Sequence, residues 1–410
     1  MTAPPVTLKR SVGLWLAVLY GVGVTVGAGI YVLIGAAAGR AGLYAPVAFV
    51  VSGLVMGLTA CSYAELVGRH PVSAGEAAYV REGFRSEGLS LLVGFLVILA
   101  SIVAAAAITN GSVGYIQTFV PADARLLAVI VLLVMGAIAA IGMLTSAWVA
   151  GVMTLIEVGG LLIVIGTGLR ERPGVLLELG NAVPAIHDTA AWSAVMATTL
   201  LSFFAFIGFE GLVNIAEEVR RPERTLPLAI MLTLLITTLL YILVVWIALR
   251  IVPAAELGAS TAPLALVFER ATGAPPYVVV AIAIVATLNG IIAQIILAAR
   301  VLYGLSVQGT LPAIFGRLET GTQTPVVSTV AATLAAIAFA TLLPIGKLAD
   351  LCSLVMLAIF AMVNVALLFI KRRGTPPPPD TFIVPTAIPV LAALSCVGLA
   401  IAALFEGGGL

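Results

Sequence analysis

Val26-Gly27-Ala28-Gly29-Ile30-Tyr31 sits inside an apolar run from Val12 to Ala38, and Phe204-Ala205-Phe206-Ile207-Gly208-Phe209-Glu210 sits inside a second such run near mid-chain. A helix that breaks at bilayer depth exposes backbone amides and carbonyls, which membrane proteins tolerate only where protein or a watery cavity receives them. Broken helices in matching positions of two halves point to the binding site of a carrier. These two stretches therefore predict both a membrane fold and the place where it works.

Composition agrees with a bilayer protein. The 410 residues are 61% hydrophobic and 10% charged, with mean hydropathy +1.19, whereas soluble domains carry about 25% charged residues. The 41 glycines exceed the usual share of about 7% and suit bilayer helices, which associate through small residues. A net charge of +1 points to neither a nucleic-acid partner nor a polyacidic substrate.

Other function classes lack their residues. Cys61, Cys352 and Cys396 stand alone in apolar stretches with neither disulfide nor metal spacing, and are read as packing residues. His70 and His187 lie far apart in loop-like sequence, too few for a zinc site or a Ser/His constellation. No metal, cofactor or catalytic residue is expected. An ion channel would favour rings of carbonyls or charges from several subunits, and no filter-like repeat is visible.

Lys9-Arg10 precede the first apolar run, but a signal-peptide core spans only about 7–15 residues, so the longer run is read as a retained helix. With about 20 apolar residues required per span, segments fall near Ser11–Ala38, Leu43–Leu66, Leu89–Val120, Arg125–Leu144 and Ala147–Leu169. Others fall near Trp192–Ile215, Thr225–Val252, Pro276–Val307, Pro325–Leu343, Leu348–Ile370 and Pro385–Leu404. That makes about eleven spans, the fourth and fifth joined by a tight hairpin. With a cytoplasmic N-terminus, thirteen Lys and Arg face inside and seven outside, the favoured sense; an odd span number then puts the C-terminus outside, at the cell membrane.

Spans one and six both carry the glycine-containing stretch, and spans three and eight are both unusually long. An odd offset of five makes the second unit enter upside down, the logic of inverted repeats. One transmembrane domain is expected over 1–410: a first repeat over 11–170, a second over 192–370 and an additional helix over 385–404. The connections Val67–Gly88, Arg170–Ala191 and Pro253–Ala274 are too small to form a core of their own, and Thr375-Pro376-Pro377-Pro378-Pro379-Asp380 is read as a short extended spacer.

The breaks have a direct chemical reading. Where the first helix restarts after Gly29, free N–H groups and the positive end of the half-helix dipole suit a carboxylate. Carbonyls near Val24 and Val26, and at Phe204, Ala205 and Ile207, would accept an ammonium. Val24, Val26, Gly27, Ala28, Gly29, Ile30, Phe204, Ala205, Phe206, Ile207 and Gly208 are thus the candidate binding residues for both ends of an α-amino acid.

Gly27-Ala28-Gly29-Ile30-Tyr31-Val32-Leu33 resembles the first-helix motif of the amino acid/polyamine/organocation superfamily. Phe203 to Glu210, followed by Ala216-Glu217-Glu218-Val219-Arg220-Arg221-Pro222-Glu223-Arg224-Thr225-Leu226-Pro227, resembles its sixth helix and following loop. Two further matches are Tyr63-Ala64-Glu65-Leu66 with Pro71-Val72-Ser73-Ala74-Gly75-Glu76, and Ala299-Arg300-Val301-Leu302-Tyr303-Gly304 running to Gly309-Thr310-Leu311-Pro312. The nearest branch by look is the cationic amino acid transporter group and its prokaryotic relatives, over about Leu8 to Ile370.

The resemblance implies an all-α, five-plus-five inverted-repeat permease with broken helices one and six. Such a protein moves L-amino acids by secondary active transport, with a proton or sodium ion as coupling partner, or by exchange with a second amino acid or polyamine. It implies an aromatic gate at Phe204 and an ion site near Thr287 and Asn289. The family usually carries two helices after its ten-helix core; one is expected here, and the oligomeric state stays open. Close relatives can present a lysine in the fifth span, where this chain has Glu157, and some carry a carboxylate tied to proton response at the position of Glu210. An ionisable group inside a span costs about 2.5–3.5 kcal/mol on insertion scales, so Glu157 and Glu210 are the candidate coupling residues. Glu65, Glu217 and Glu218 are read as caps or salt-bridge partners at loop ends.

Overall fold

The computed structural model describes residues 10, 12–70, 75–141, 147–319, 324–379 and 381–406, with the side chains of Ala28, Asn214, Glu217 and residues 147–150 and 404–406 outside the description. The hairpin expected between the fourth and fifth spans and the motif residues Pro71 to Ala74 lie outside the described residues, as does Asp380.

Long, mostly apolar runs fold as helices because in hydrocarbon every backbone group must be paired within the segment, and shorter helices join them. In chain order these are α1 (Leu14–Ala41), α2 (Ala45–Arg69), α3 (Gly75–Phe84), α4 (Glu87–Ile116), α5 (Ala124–Ile141), α6 (Ala147–Glu171) and α7 (Thr189–Ala205). There follow α8 (Pro222–Ile251), α9 (Ala254–Ala259), α10 (Pro263–Thr272), α11 (Tyr277–Val307), α12 (Val326–Leu342), α13 (Ile345–Arg372) and α14 (Ala387–Glu406). A helix occupies each of the segments read as spans. Among the described residues, eight helical stretches are long and apolar enough to cross a membrane, and Val326–Leu342 is a shorter apolar helix. The connections read as polar loops are themselves partly helical, holding α3, a 3-10 turn at Val175–Ala182, and α9 with α10.

The two glycine stretches behave differently. The second is broken as expected: α7 ends at Ala205, Gly208 takes φ +137°, and the chain resumes as a 3-10 helix over Phe209–Glu218. The expected break in the first span is corrected by the structure, since α1 runs as helix through Val26–Tyr31. Gly27 and Gly29 keep helical torsions there, and what they supply is missing side-chain volume rather than an interruption.

That missing volume sets how the helices pack. A Cβ built on Gly29 would lie 2.5 Å from the Ala205 Cα, and one on Gly208 would lie 2.6 Å from the Val24 carbonyl oxygen. Position 29 thus faces 205 while 24 faces 208, so α1 and the sixth span run in opposite directions at backbone contact. On α4 and α11, Gly94 faces Leu305 and Ser112 faces Thr287; on α5 and α12, Gly136 faces Thr333 and the Ala140 carbonyl takes a hydrogen bond from Thr324. Both pairs are antiparallel as well. By contrast, Gly23 faces Thr154, Gly27 faces Glu157 and Tyr31 faces Gly160, so α1 and α6 run in the same direction.

The end of α2 anchors the C-terminal helix. The buried Glu65 carboxylate accepts from Arg69 at 2.8 Å, from Lys371 at 2.7 Å and from the Val384 backbone N–H at 2.9 Å. Lys371 also donates to the Val384 carbonyl and Arg69 to that of Thr375, fastening the proline-rich spacer beneath α13 and α14. Removing one partner of a buried ion pair typically costs about 3–5 kcal/mol. Because Lys371 and Arg69 keep these carbonyl partners, Glu65→Ala is expected near the low end, about 3 kcal/mol. Thermal unfolding in detergent should show a clearly lowered Tm, and a variant that melts with the parent would remove the anchoring role.

Candidate functional site

Phenols reach the backbone carbonyls around the glycine stretches. At the sixth-span break Ala205 loses the N–H that a continuous helix would bring to its carbonyl, whereas Thr25 lies inside the continuous α1. The fully buried Tyr241 hydroxyl of α8 lies 2.8 Å from the Ala205 oxygen and 2.9 Å from that of Thr25, tying the two stretches together. Tyr115 of α4 donates to the Tyr31 carbonyl at 2.7 Å, and Tyr31 donates to the Glu157 carbonyl at 2.5 Å. At the break, the Glu210 carboxylate accepts from the Gly208 N–H at 2.9 Å, holding the left-handed turn that only glycine adopts without strain.

Between α1, α4, α11 and the sixth-span break lies a cavity of about 40 Å³. Gly23, Val24, Thr25 and Gly29 line it from α1, Ala104 and Ile108 from α4, Phe204 and Ile207 from the break, and Asn289, Gly290, Ala293 and Gln294 from α11. Five of the residues expected from sequence therefore meet here: Val24, Gly29, Phe204, Ile207 and Asn289. Gly27, Ala205 and Gly208 stand just behind the wall, at helix contacts. Val26 and Ile30 are buried in the core, and Phe206 packs against Tyr241 with ring centroids 5.0 Å apart. The Ala28 side chain lies outside the description.

Glu157 is fully buried on α6 and accepts from the Asn289 amide at 3.3 Å through Oε1. Its Oε2 has no hydrogen-bond partner among the described residues and faces Gly27 of α1, with the Ala286 carbonyl of α11 beside the same point. Asn289 thus touches both the carboxyl and the cavity. Thr287 does not join them: its hydroxyl is bonded to Ser112 at 2.9 Å and to the Ala283 carbonyl. Glu210 belongs to the break and lies outside the Glu157 group.

Sequence reasoning did not find Tyr241 or the α4 wall. Both sit in uniformly apolar helices, where nothing in the pattern says which face turns inward. On α11 the sequence pointed to Thr287 and Asn289, of which Asn289 lines the cavity.

An all-helical membrane protein with a cavity between oppositely running glycine-containing spans is a carrier-like architecture. A family model described as "Amino acid permease" matches residues 12–409, and the chain belongs to that family. It is 29% identical over 385 residues to the vacuolar cationic amino acid transporter 4 of Arabidopsis thaliana, covering 88% of this chain and 63% of that protein. Over 418 residues it is 27% identical to the branched-chain amino acid permease BcaP of Bacillus subtilis, covering 96% and 88%. Over 416 residues it is 26% identical to the methylthioribose transporter of the same bacterium, covering 95% and 88%. The chain spans less than two thirds of the plant relative's length.

Tyr241→Phe removes the single O–H donor that the Ala205 and Thr25 carbonyls share. With a net bond at about 1 kcal/mol and a buried carbonyl left short of a donor, destabilisation of about 1–2 kcal/mol is expected, visible as a lower Tm with an unchanged helical spectrum. Gly29→Val should do more, since its side chain meets Ala205 backbone that cannot rotate away; the yield of folded protein in detergent should fall sharply. Normal yield and stability for Gly29→Val would show that α1 and the sixth span do not need this approach.

Proposed function

We propose that the chain is a secondary active transporter that moves L-amino acids across a membrane by alternating access, with Glu157 as a proton-coupling carboxyl. One observation carries this reading: the two glycine stretches meet, in opposite directions, at a cavity that Asn289 links to a buried carboxyl with an unpaired oxygen. The amino-acid transporters among its relatives support the substrate class.

A five-plus-five inverted repeat, over 11–170 and 192–370 with an additional helix over 385–404, gains support from the packing. Span one pairs with six, three with eight and four with nine, each antiparallel, as an axis lying in the membrane plane requires. Eleven crossings, with the N-terminus cytoplasmic and the C-terminus outside the cell membrane, follow on this reading from the distribution of Lys and Arg.

The backbone of α1 between Gly23 and Gly29 forms the floor on which substrate lies, and Phe204 closes over it. Taking the substrate carboxylate requires α1 to give up helical hydrogen bonds near Gly29 and Ile30; the low helix propensity of glycine, about 1 kcal/mol below alanine, makes that opening cheap. Because Ala205 and Thr25 already have Tyr241, the ammonium is left to carbonyls nearer the cavity, such as that of Val24. The unpaired Glu157 oxygen is where a proton is taken up in one orientation and released in the other. Sodium has less support, since Thr287, the hydroxyl that would help ligate it, is committed to Ser112.

Uptake of labelled amino acids into proteoliposomes, with and without an imposed pH gradient, tests the reading. Decarboxylated amines should compete far less well than their parent acids; equal competition would replace the amino-acid reading with an amine carrier. Glu157→Gln, a fixed neutral mimic, should keep exchange of labelled for unlabelled substrate but lose accumulation driven by the pH gradient. Unchanged gradient-driven uptake by Glu157→Gln would sink the coupling role.

A further inference from the structure

Resting on the reading of the cavity as an amino-acid site, we infer that its side-chain subsite accepts neutral apolar side chains and rejects those of lysine and arginine. Opposite the α1 floor, the cavity is walled by Ala104 and Ile108, one turn apart on the same face of α4, by Phe204 and Ile207 from the sixth-span break, and by Ala293 of α11. Its polar side chains on α11, Asn289 and Gln294, are uncharged amides, and the Thr25 hydroxyl is bonded to the Gly21 carbonyl.

The two nearby buried carboxylates do not line the cavity. Glu157 stands behind Asn289 and turns its second oxygen toward Gly27 of α1; Glu210 is taken by the Gly208 N–H. A cationic side chain entering this space gives up its water without gaining an anionic partner, a heavily unfavourable exchange. A branched or unbranched hydrocarbon side chain gives up nothing and covers apolar wall. One methylene in such a pocket changes discrimination by about 10-fold or more, so the wall also ranks neutral substrates by size.

The test is competition for binding to the purified chain, with labelled leucine as the probe and unlabelled valine, isoleucine, lysine and arginine as competitors. The aliphatic amino acids should compete at concentrations at least about 10-fold below lysine and arginine. Lysine or arginine competing as well as valine overturns the inference while leaving the amino-acid site intact. If labelled leucine does not bind, the same assay with labelled lysine decides: lysine binding again overturns only the inference, and no binding by either overturns the reading of the cavity and the inference with it. Ala293→Glu places a carboxylate in the wall and should move the lysine-to-leucine ratio toward lysine by about 10-fold. A folded Ala293→Glu protein with the parental ratio would show that side chains are read elsewhere, and Glu157→Gln losing lysine binding selectively would identify Glu157 as a counter-ion and likewise overturn it.

Discussion

Backbone-to-backbone contact between α1 and the sixth span is the constraint on which the rest of the molecule depends. Without a hydrophobic driving force between helices, bilayer proteins gain cohesion by close packing of small residues. Here Gly29 lies against Ala205 and Gly208 against Val24, with no space for a Cβ at either glycine. The contact places the sixth-span break beside α1 and requires the left-handed turn at Gly208. It also sets the spacing of the cavity, whose floor and lid are the two partners of this contact.

Close approach has a second consequence, because a break in hydrocarbon releases polar groups that water cannot reach. A phenol reaches the carbonyl at the break: the Tyr241 hydroxyl lies between the carbonyls of Ala205 and of Thr25 in the continuous α1, while Tyr115 donates to Tyr31 and Tyr31 to Glu157 at carbonyls inside continuous helices. Each tyrosine brings a large apolar body with a single polar end, so it reaches across a helix interface without burying further charge. Among the described residues several buried polar side-chain atoms have no partner, and Oε2 of Glu157 is the one carboxylate oxygen among them. A buried carboxyl left half-satisfied adds nothing to stability, and an intramembrane ionisable group is a functional hypothesis by default.

Much of this was legible in the sequence, and the limits have physical reasons. The apolar runs gave the helices because bilayer thickness fixes their length, and the two glycine stretches, read as breaks, proved to be a break only in the second, with backbone contact at both. Glu157 and Glu210 were visible because charge in an apolar run is conspicuous. The continuity of α1 was not visible: glycine allows a helix to open but does not force it, and the choice depends on what Val24 and Gly29 meet across the interface. Tyr241 and the α4 wall were hidden for a related reason. In a helix apolar all round, periodicity carries no facing, so only assembly shows that Ala104 and Ile108 look inward and Phe206 does not.

On the transport reading, alternating access asks which contacts hold and which exchange. Within the antiparallel pairs, α1 with the sixth span and α4 with α11, contact is made by backbone, glycine and short side chains, surfaces that resist gradual deformation. The pairs are joined directly by the hydrogen bond from Tyr115 of α4 to the Tyr31 carbonyl of α1, and through α6, packed on α1, by that from Asn289 of α11 to Glu157. Where α6 moves with α1, separation of the two pairs strains these bonds before it strains the packing. One of them ends on the carboxyl proposed to bind the proton, and its donor also lines the cavity proposed to bind substrate. Protonation of Glu157 changes what Asn289 can donate to, and occupation of the cavity changes where Asn289 can point. A single amide thus sees both ligands, a physical route by which the binding of one biases the opening that releases the other.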